Sequence, residues 1–270
     1  MKTIKQAVLI LLILLIVATV ASYFYVGTSD RNVPPKIDCP PEVLEISATD
    51  DESVLLTGLT ASDPQDGDLT SRITIAGRSK LITNDTAKVT YLVFDSDNNM
   101  ASCVRRIRYV DYHRPVFEVT EPLIYSTTEE VIMLNRLKAV DVVDGDISKN
   151  IRVSTLEPTN NSEIFHVSIQ VSNSLGDTSV VKLPVLMLES NPLRPEILLS
   201  HSLIYLEQGS KFTPSAYLMG VEAPGVAKPS LVDIVVDNQV DTAKPGTYYV
   251  TYTYTANENI GRSILTVVVQ

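Results

Sequence analysis

The sequence predicts an all-β protein in which three tandem β-sandwich modules follow one N-terminal transmembrane helix. An acidic turn indicates the repetition, because Asp63-Pro64-Gln65-Asp66-Gly67-Asp68 returns as Asp141-Val142-Val143-Asp144-Gly145-Asp146. We call the step from Asp63 to Asp141 the repeat offset. Alternating side chains around the turns, as in residues 89–93, are typical of half-buried strands. A period of about 80 residues indicates small tandem modules rather than one large enzyme domain.

Residues 1–26 predict membrane insertion. Residues 7–26 form an apolar run that makes about 30 Å of helix, which matches a bilayer core. We expect a signal-anchor helix with residues 1–6 in the cytoplasm. Its anchoring residues would be the two cytoplasmic lysines and an outer aromatic belt: Lys2, Lys5, Tyr23, Phe24 and Tyr25.

A cleaved signal peptide is the alternative for this segment. Its apolar region would be residues 7–20, and Thr19-Val20-Ala21 would be an imperfect cleavage site. The protein would then be secreted. Under either interpretation residues 27–270 are extracytoplasmic.

The charge outside the helix is strongly acidic. After Lys2 and Lys5 are set aside, 20 basic and 32 acidic residues remain, a net charge of −12. Nucleic acid is not an expected partner, because phosphate binding requires clustered Lys and Arg. Divalent cations and basic surfaces fit such a charge better, and an acidic ectodomain that simply stays dispersed is the plainest interpretation.

Proline-containing junctions divide the ectodomain. A polar stalk, residues 27–35, contains Pro34-Pro35, and Arg114-Pro115 recurs as Arg194-Pro195. We therefore define module one as residues 36–112, module two as 113–192 and module three as 193–270. We expect each module to fold as its own two-sheet unit, and proline at each junction to leave little slack, as in a semi-rigid rod.

The alternation and turn residues predict the main strands and no helix in the modules. The predicted strands of modules one and two are 36–39, 43–47, 53–56, 73–76, 87–94, 101–110, 116–120, 130–134, 151–154, 164–172 and 178–188. In module three the clearest strands are 247–255 and 263–270, on either side of an Asn-rich turn. Tyr248, Tyr252 and Tyr254 are expected in the sandwich core, whereas Tyr249 lies on the opposite face and is expected to be exposed.

The modules resemble bacterial immunoglobulin-like domains that occur in tandem on Gram-positive surface proteins, including the family named after an insecticidal crystal protein. Modules one and two match its acidic turn, D-x-x-D-G-D-[IL]-[ST], and module three matches its Lys244-Pro245-Gly246-Thr247-Tyr248 strand start. Module one also resembles a hyalin repeat through Ile37-Asp38-Cys39-Pro40 and Ala101-Ser102-Cys103-Val104. The resemblance covers residues 35–270 and implies an immunoglobulin-like sandwich, but says almost nothing about the ligand.

Cys39 and Cys103 are the only cysteines, and both lie in the predicted extracytoplasmic part. They fall on the predicted first and last strands of module one, which are neighbours in an immunoglobulin-like sandwich. One repeat offset later, the corresponding positions hold Phe117 and Val181, so a structural disulfide would replace an apolar contact. Two free buried thiols or a reactive cysteine are the alternatives.

The acidic turns are the candidate ion sites. Several carboxylates beside a glycine can surround Ca²⁺ with oxygen atoms, although the spacing differs from that of an EF-hand loop. The candidate ligands are Asp63, Asp66, Asp68, Asp95, Asp141, Asp144 and Asp146, with Asp97 as an alternative from the neighbouring turn. The simpler interpretation is that the carboxylates accept hydrogen bonds from nearby backbone amides while glycine supplies a positive φ.

No catalytic arrangement can be nominated. His113, His166 and His201 are far apart and lack metal-ligand spacing. We expect a non-catalytic, membrane-anchored surface protein that serves as a binding, adhesion or spacer rod at the bacterial cell envelope, with a protein, cell-wall or carbohydrate ligand. The alternatives are a secreted array of carbohydrate- or wall-binding modules and a structural subunit of an envelope assembly.

Overall fold

The protein is mostly β-sheet. The structure, a computed structural model, describes residues 2–29, 33–128 and 130–270, with side chains described for residues 10–23, 33–128 and 130–270. This part of the chain contains one α-helix, twenty strands and six short 3₁₀ turns. The predominance of strands confirms the prediction that the modules are built from β-sheet.

The N-terminal segment forms α1 (Lys2–Ser29). Within the range with described side chains, apolar residues of α1 are exposed, and Tyr23 is 81% exposed. Lys2, Lys5, Phe24 and Tyr25 lie outside the described side chains. No helix in the described part of the chain is long and apolar enough to cross a membrane, so the predicted transmembrane helix is not supported.

Contacts divide the chain into two compact units. Unit 1 comprises Met1–Ile46 and Asp50–Arg108. Its strands are β1 (Lys36–Asp38), β2 (Leu44–Ile46), β3 (Thr60–Asp63), β4 (Gly67–Asp68), β5 (Thr74–Arg78), β6 (Thr86–Phe94) and β7 (Met100–Tyr109), whose last residue is assigned to unit 2. They form two sheets with the strand orders β1-β3-β4 and β2-β7-β6-β5.

Unit 2 comprises Ser47–Thr49 and Tyr109–Gln270 and contains two further sheet pairs. The first uses β8 (Val116–Val119), β9 (Ile124–Ser126), β10 (Leu137–Asp141), β11 (Gly145–Asp146), β12 (Arg152–Pro158), β13 (Ile164–Ser172) and β14 (Thr178–Leu188). Their orders are β11-β10-β8 and β12-β13-β14-β9, with β9 parallel to β14.

The second pair of sheets in unit 2 uses β15 (Glu196–Leu199), β16 (Leu203–Leu206), β17 (Leu218–Glu222), β18 (Val235–Asn238), β19 (Gly246–Ala256) and β20 (Asn259–Val269). The strand orders are β15-β17 and β16-β20-β19-β18, with β16 parallel to β20. The sheet pairs follow the order of the three modules, whose boundaries stay a prediction.

Modules one and two share their register from β3 and β10 onward. Strand β6 begins at Thr86 and β13 at Ile164, while the hairpins pair Asp63 with Gly67 and Asp141 with Gly145. Both glycines have positive φ, 79° and 69°, a backbone conformation that costs glycine little. The predicted shared register is therefore confirmed from the acidic turns onward, but it is wrong for the first strands, because Ile37 pairs with Ala61 whereas Phe117 pairs with Ala139.

Two predicted strands are 3₁₀ turns instead. Residues 53–56 lie in the turn Glu52–Leu56, where the Asp51 carboxylate accepts the Ser53 N–H at 2.8 Å and Leu55 is buried. Residues 130–134 lead into the turn Met133–Arg136. Their consecutive apolar side chains lack strand alternation, and in each turn one of them enters the core. The remaining 3₁₀ turns are Thr70–Arg72, Ser148–Asn150, Pro214–Tyr217 and Leu231–Asp233.

The tyrosines of β19 follow the prediction with one exception. Tyr252 and Tyr254 are buried, and Tyr248 packs against the same core. The expected exposure of Tyr249 is wrong: its ring stacks on His166 of module two, with ring centroids 4.8 Å apart. The face opposite the core of module three therefore packs against module two.

Cys39 and Cys103 form a disulfide, which confirms the structural interpretation. The cysteines are not on neighbouring strands, because Cys39 follows β1 and Cys103 lies in β7, which belong to different sheets. The bond therefore links the two layers of module one. By strand pairing, Ile37 corresponds to Phe117, so Cys39 corresponds to Val119, which packs against the apolar core that contains Val181.

Candidate functional site

The first acidic turn joins β3 to β4 and is held by its own carboxylates. Asp63 Oδ1 accepts the N–H groups of Gln65 and Asp66 at 2.7 and 2.8 Å. Asp66 reaches the turn between β6 and β7, where its two oxygens accept the N–H and the hydroxyl of Ser96 at 2.6 and 2.7 Å. Arg72 lies 3.6 Å from the Asp66 carboxylate. The turns that the sequence predicts to be neighbours are therefore in contact.

The second acidic turn repeats these contacts in module two. Asp141 Oδ1 accepts the N–H groups of Val143 and Asp144, both at 2.9 Å. Asp144 accepts the N–H and hydroxyl of Ser174 at 2.5 and 2.6 Å. Sequence reasoning missed Ser96 and Ser174, although the repeat offset separates them too, so their repetition could have revealed this contact.

The third acid of each turn accepts hydrogen bonds from the first residue of the following 3₁₀ turn. Asp68 accepts the Thr70 N–H at 2.9 Å, and Asp146 accepts the N–H and hydroxyl of Ser148 at 2.9 and 2.5 Å. These hydrogen bonds favour the ionised form and hold the pKa values of Asp68 and Asp146 below the usual range. The simpler interpretation of the turns describes these contacts well.

A buried polar network accompanies the second turn. Asn173 Nδ2 donates to Asp141 Oδ2 at 3.0 Å and to the Tyr112 hydroxyl at 2.9 Å. Tyr112 in turn donates to Asp177 at 3.0 Å, and Asp177 lies 3.5 Å from the Arg114 guanidinium. Burial raises the pKa of Tyr112, which keeps its hydroxyl as a donor. Both buried oxygens of Asp141 thus have donors.

The first turn carries a different network. Asp95 is buried; its Oδ1 accepts the N–H groups of Asp97 and Asn99, and its Oδ2 accepts the Asn99 side-chain amide at 2.7 Å. Burial acts to raise the pKa of Asp95, but hydrogen bonds from Asn99 and Asp97 and the charge of Arg72 outweigh it, so the pKa is lowered. Asp63 Oδ2, in contrast, is buried and has no hydrogen-bond partner in the described part of the chain.

The described residues contain no group of three or more His, Cys, Asp or Glu side chains arranged to hold a metal ion. Most carboxylate oxygens of the two turns bind backbone N–H groups or serine hydroxyls instead. The predicted Ca²⁺ ligation by the complete set of acidic residues stays a prediction. Asp63 Oδ2 is the oxygen that the hydrogen bonds do not account for.

The histidines occupy separate places. His113 and His201 are exposed and contact their chain neighbours Arg114 and Ser200, whereas His166 is half-buried against Tyr249. Burial and the nearby Lys182 lower the pKa of His166. The three histidines therefore lie at separate exposed or half-buried positions.

Modules two and three share an interface that sequence reasoning missed. The Phe117 N–H donates to the Tyr205 hydroxyl at 2.9 Å, and the Tyr249 hydroxyl donates to the Lys182 carbonyl at 3.0 Å. Glu163 and Arg262 form an ion pair at 2.5 Å. Because the partners are between 67 and 99 residues apart, no local pattern signals these contacts.

Apolar packing joins the same two modules. Leu203, from module three, is buried in the core of module two, and Tyr205 and Val268 pack against that core. Module three keeps a core of its own around Tyr252 and Leu265, and Leu203 connects it to the core of module two. The two modules behave as one packed body within unit 2.

Module two also has an exposed apolar groove. It lies between the segment 130–134 and the sheet that contains β12 and β13, with a volume of about 610 Å³. Leu156 is 66% exposed, and Ile132 and Val153 are about half exposed. Strand β12 is at the edge of its sheet, so its outer hydrogen-bonding groups lie beside this groove.

Comparison with known proteins identifies one family resemblance. A profile of the family described as "Bacterial surface protein, Ig-like domain" matches residues 198–267. The match covers about a quarter of the chain and supports the resemblance of module three to bacterial surface Ig-like domains. The resemblance of module one to a hyalin repeat stays a prediction. No curated protein matches the sequence.

Several solved structures are similar at low identity. CBM51-2 and INT domains from Clostridium perfringens ZmpB, in complex with GlcNAc, are 17% identical, with 54% of this chain and 28% of that chain covered and a TM-score of 0.24. Mouse cadherin-23 EC22-24 is 13% identical over 88% of this chain and 99% of its own, with a TM-score of 0.21. Drosophila N-cadherin EC1-4 is 13% identical over 88% and 75%, with a TM-score of 0.22.

The chain spans less than a third of the length of the ZmpB structures that it matches. At these TM-scores, the similarities carry no argument about function.

Proposed function

We propose that this chain is a non-catalytic surface protein of the bacterial cell envelope, in which Ig-like modules act as a spacer that holds a binding surface away from the membrane. The packed joint between modules two and three is the observation that carries this proposal. A spacer must resist bending, and a joint that combines apolar packing, two tyrosine hydrogen bonds and an ion pair resists bending better than a flexible linker.

The extracytoplasmic location is part of the proposal. A disulfide between Cys39 and Cys103 supports it, because such bonds persist in oxidising compartments. Residues 7–26 would hold the protein in the membrane, on the strength of their apolar sequence. Protease treatment of intact cells, followed by fractionation, tests both parts. Residues 27–270 should be digested on treated cells, and the intact protein of untreated cells should be found in the membrane fraction; release into the medium would favour the cleaved signal peptide.

The spacer role can be measured as a distance distribution. Both native cysteines form the disulfide, so spin labels can be placed at Lys138→Cys in module two and Lys211→Cys in module three, two exposed positions. In the full chain in detergent, pulsed electron resonance should give one narrow distance distribution. The combination of Tyr205→Ala with Arg262→Ala should broaden it. A broad distribution in the otherwise unchanged chain would contradict the spacer role.

An envelope assembly is the second candidate, and the apolar groove of module two favours it. Exposed apolar side chains beside the edge strand β12 can bury area against another copy and extend the sheet. The mass of the full chain in mild detergent tests this function. An oligomer that Leu156→Lys dissociates, while Met219→Lys on an exposed site of module three does not, would support assembly. A monomer at micromolar concentration would exclude it.

A further inference from the structure

The starting observation is an unpaired buried oxygen in module one. Asp63 is 5% exposed, and its Oδ2 has no hydrogen-bond partner among the described residues. Its other oxygen, Oδ1, accepts two backbone N–H groups. A buried carboxylate oxygen without a donor or a cation is costly, so the site requires a positive partner.

Module two identifies what is missing. Asp141, the equivalent of Asp63, receives the Asn173 amide on Oδ2 at 3.0 Å. The residue equivalent to Asn173 in module one is Asp95, which offers a second carboxylate in place of the amide donor. Both modules keep the same contact between the two turns: Ser96 donates to Asp66 in module one, and Ser174 donates to Asp144 in module two. The Asp63 Oδ2 side of the turn therefore faces an acid where module two has an amide.

In module one the side-chain amide lies four residues later in the same turn, at Asn99. Asn99 occupies the position of Asp177, and its side chain donates to Asp95 Oδ2. This exchange of Asp and Asn gives Asp95 a donor, whereas Asp63 Oδ2 has none among the described residues. Two buried carboxylates thus lie at one junction, where the corresponding junction of module two has one carboxylate and one amide.

The surrounding charges of the described residues do not neutralise this junction. The positive charge of Arg72 helps to lower the pKa of Asp95. The same guanidinium lies 3.6 Å from the carboxylate of Asp66. Asp68 and Asp97, on the same two turns, add negative charge. Asp66 and Asp95 therefore share one guanidinium, and Asp63 forms no ion pair among the described residues.

We propose that Asp63 and Asp95 bind one hard divalent cation of the Ca²⁺ class in module one, and that the Asn173 amide takes the place of this cation in module two. Oxygen ligands of this kind are those that Ca²⁺ prefers, and extracellular modules bind it with dissociation constants of about 10⁻⁴–10⁻³ M. The cation would tie the turn between β3 and β4 to the turn between β6 and β7. This site does not depend on the proposed spacer function.

Reciprocal substitutions test the site in the full chain in detergent, after chelation and with Ca²⁺ added as the probe. Asp95→Asn installs the amide of module two, and Asn173→Asp installs the acid of module one. Ca²⁺ at about ten times its dissociation constant should raise the melting temperature of unit 1 by about 5–10 °C. Asp95→Asn should abolish that response and raise the metal-free melting temperature, while Asn173→Asp should make the stability of unit 2 respond to Ca²⁺.

Terbium luminescence gives a second readout that does not depend on stability. Tb³⁺ should bind the unchanged chain and be displaced by Ca²⁺, and Asp95→Asn should lose at least tenfold in affinity. Asp63→Asn, which keeps an oxygen acceptor for the two backbone N–H groups, should lose binding without unfolding. If neither Ca²⁺ nor Tb³⁺ binds, the proposal is wrong.

Discussion

Removal of the disulfide by the double substitution Cys39→Ala and Cys103→Ala should destabilise unit 1 and leave unit 2 unchanged. The two cysteines are 64 residues apart, and the loop-entropy relation for a loop of this length gives about 4 kcal/mol. A folding unit of this size is expected to have a total stability of only about 4–11 kcal/mol. The bond therefore accounts for a large part of the stability of module one.

Urea unfolding of the full chain in detergent measures this effect. Tyrosine fluorescence is a suitable probe, since the chain has 12 tyrosines and no tryptophan. With an m-value of about 1–2 kcal/mol/M, the midpoint of the unit 1 transition should fall by about 2–4 M. The unit 2 transition is the internal control, because unit 2 contains no cysteine.

A reducing agent should reproduce the result in the unchanged chain. Alkylation must show that both thiols have been released. If the unit 1 midpoint then stays where it was, the loop-entropy argument fails, and the apolar contacts of module one would be sufficient for its stability. The alternative substitution Cys39→Val with Cys103→Val, which copies the equivalent apolar pair Val119 and Val181, should recover part of the loss.

Three further predictions concern single side chains. Tyr205→Phe leaves the Phe117 N–H without its acceptor and should cost unit 2 about 1–2 kcal/mol in urea unfolding; an unchanged midpoint would contradict a structural role for this bond. Buried Arg105 donates to two backbone carbonyls, and the equivalent position of module two holds buried Leu183. Arg105→Ala should therefore lower the stability of unit 1 by about 2–4 kcal/mol, and Arg105→Leu should lower it less. Equal losses for the two variants would contradict a packing role for this side chain. Burial lowers the pKa of His166, so as the pH falls the unfolded chain takes up this proton before the folded chain does. Unit 2 should therefore lose stability as the pH falls through the ordinary histidine pKa of about 6.5. The substitution His166→Gln should flatten that part of the pH profile of stability.

The sequence predicted the features that depend on neighbouring residues. The acidic turns appear where the repeat places them, because an Asp that accepts nearby N–H groups and a glycine with positive φ form the bend locally. The long strands β6 and β13 follow from their alternation. The short strands β3 and β10 were missed, because each enters its acidic turn after only a few alternating residues. Residues 53–56 were predicted as a strand on apolar character, although their consecutive apolar side chains suit a 3₁₀ turn.

The sequence by itself therefore determined the β-rich class, the acidic turns, the register that modules one and two share from those turns onward, and the two cysteines available for a disulfide. Only the tertiary structure decided which buried polar groups find partners. Asp141 meets an amide 32 residues away, whereas Asp63 Oδ2 meets no donor among the described residues, and Glu163 meets an arginine 99 residues away in the next module. Such contacts depend on how sheets and modules pack, and a residue's chain neighbours carry no information about them.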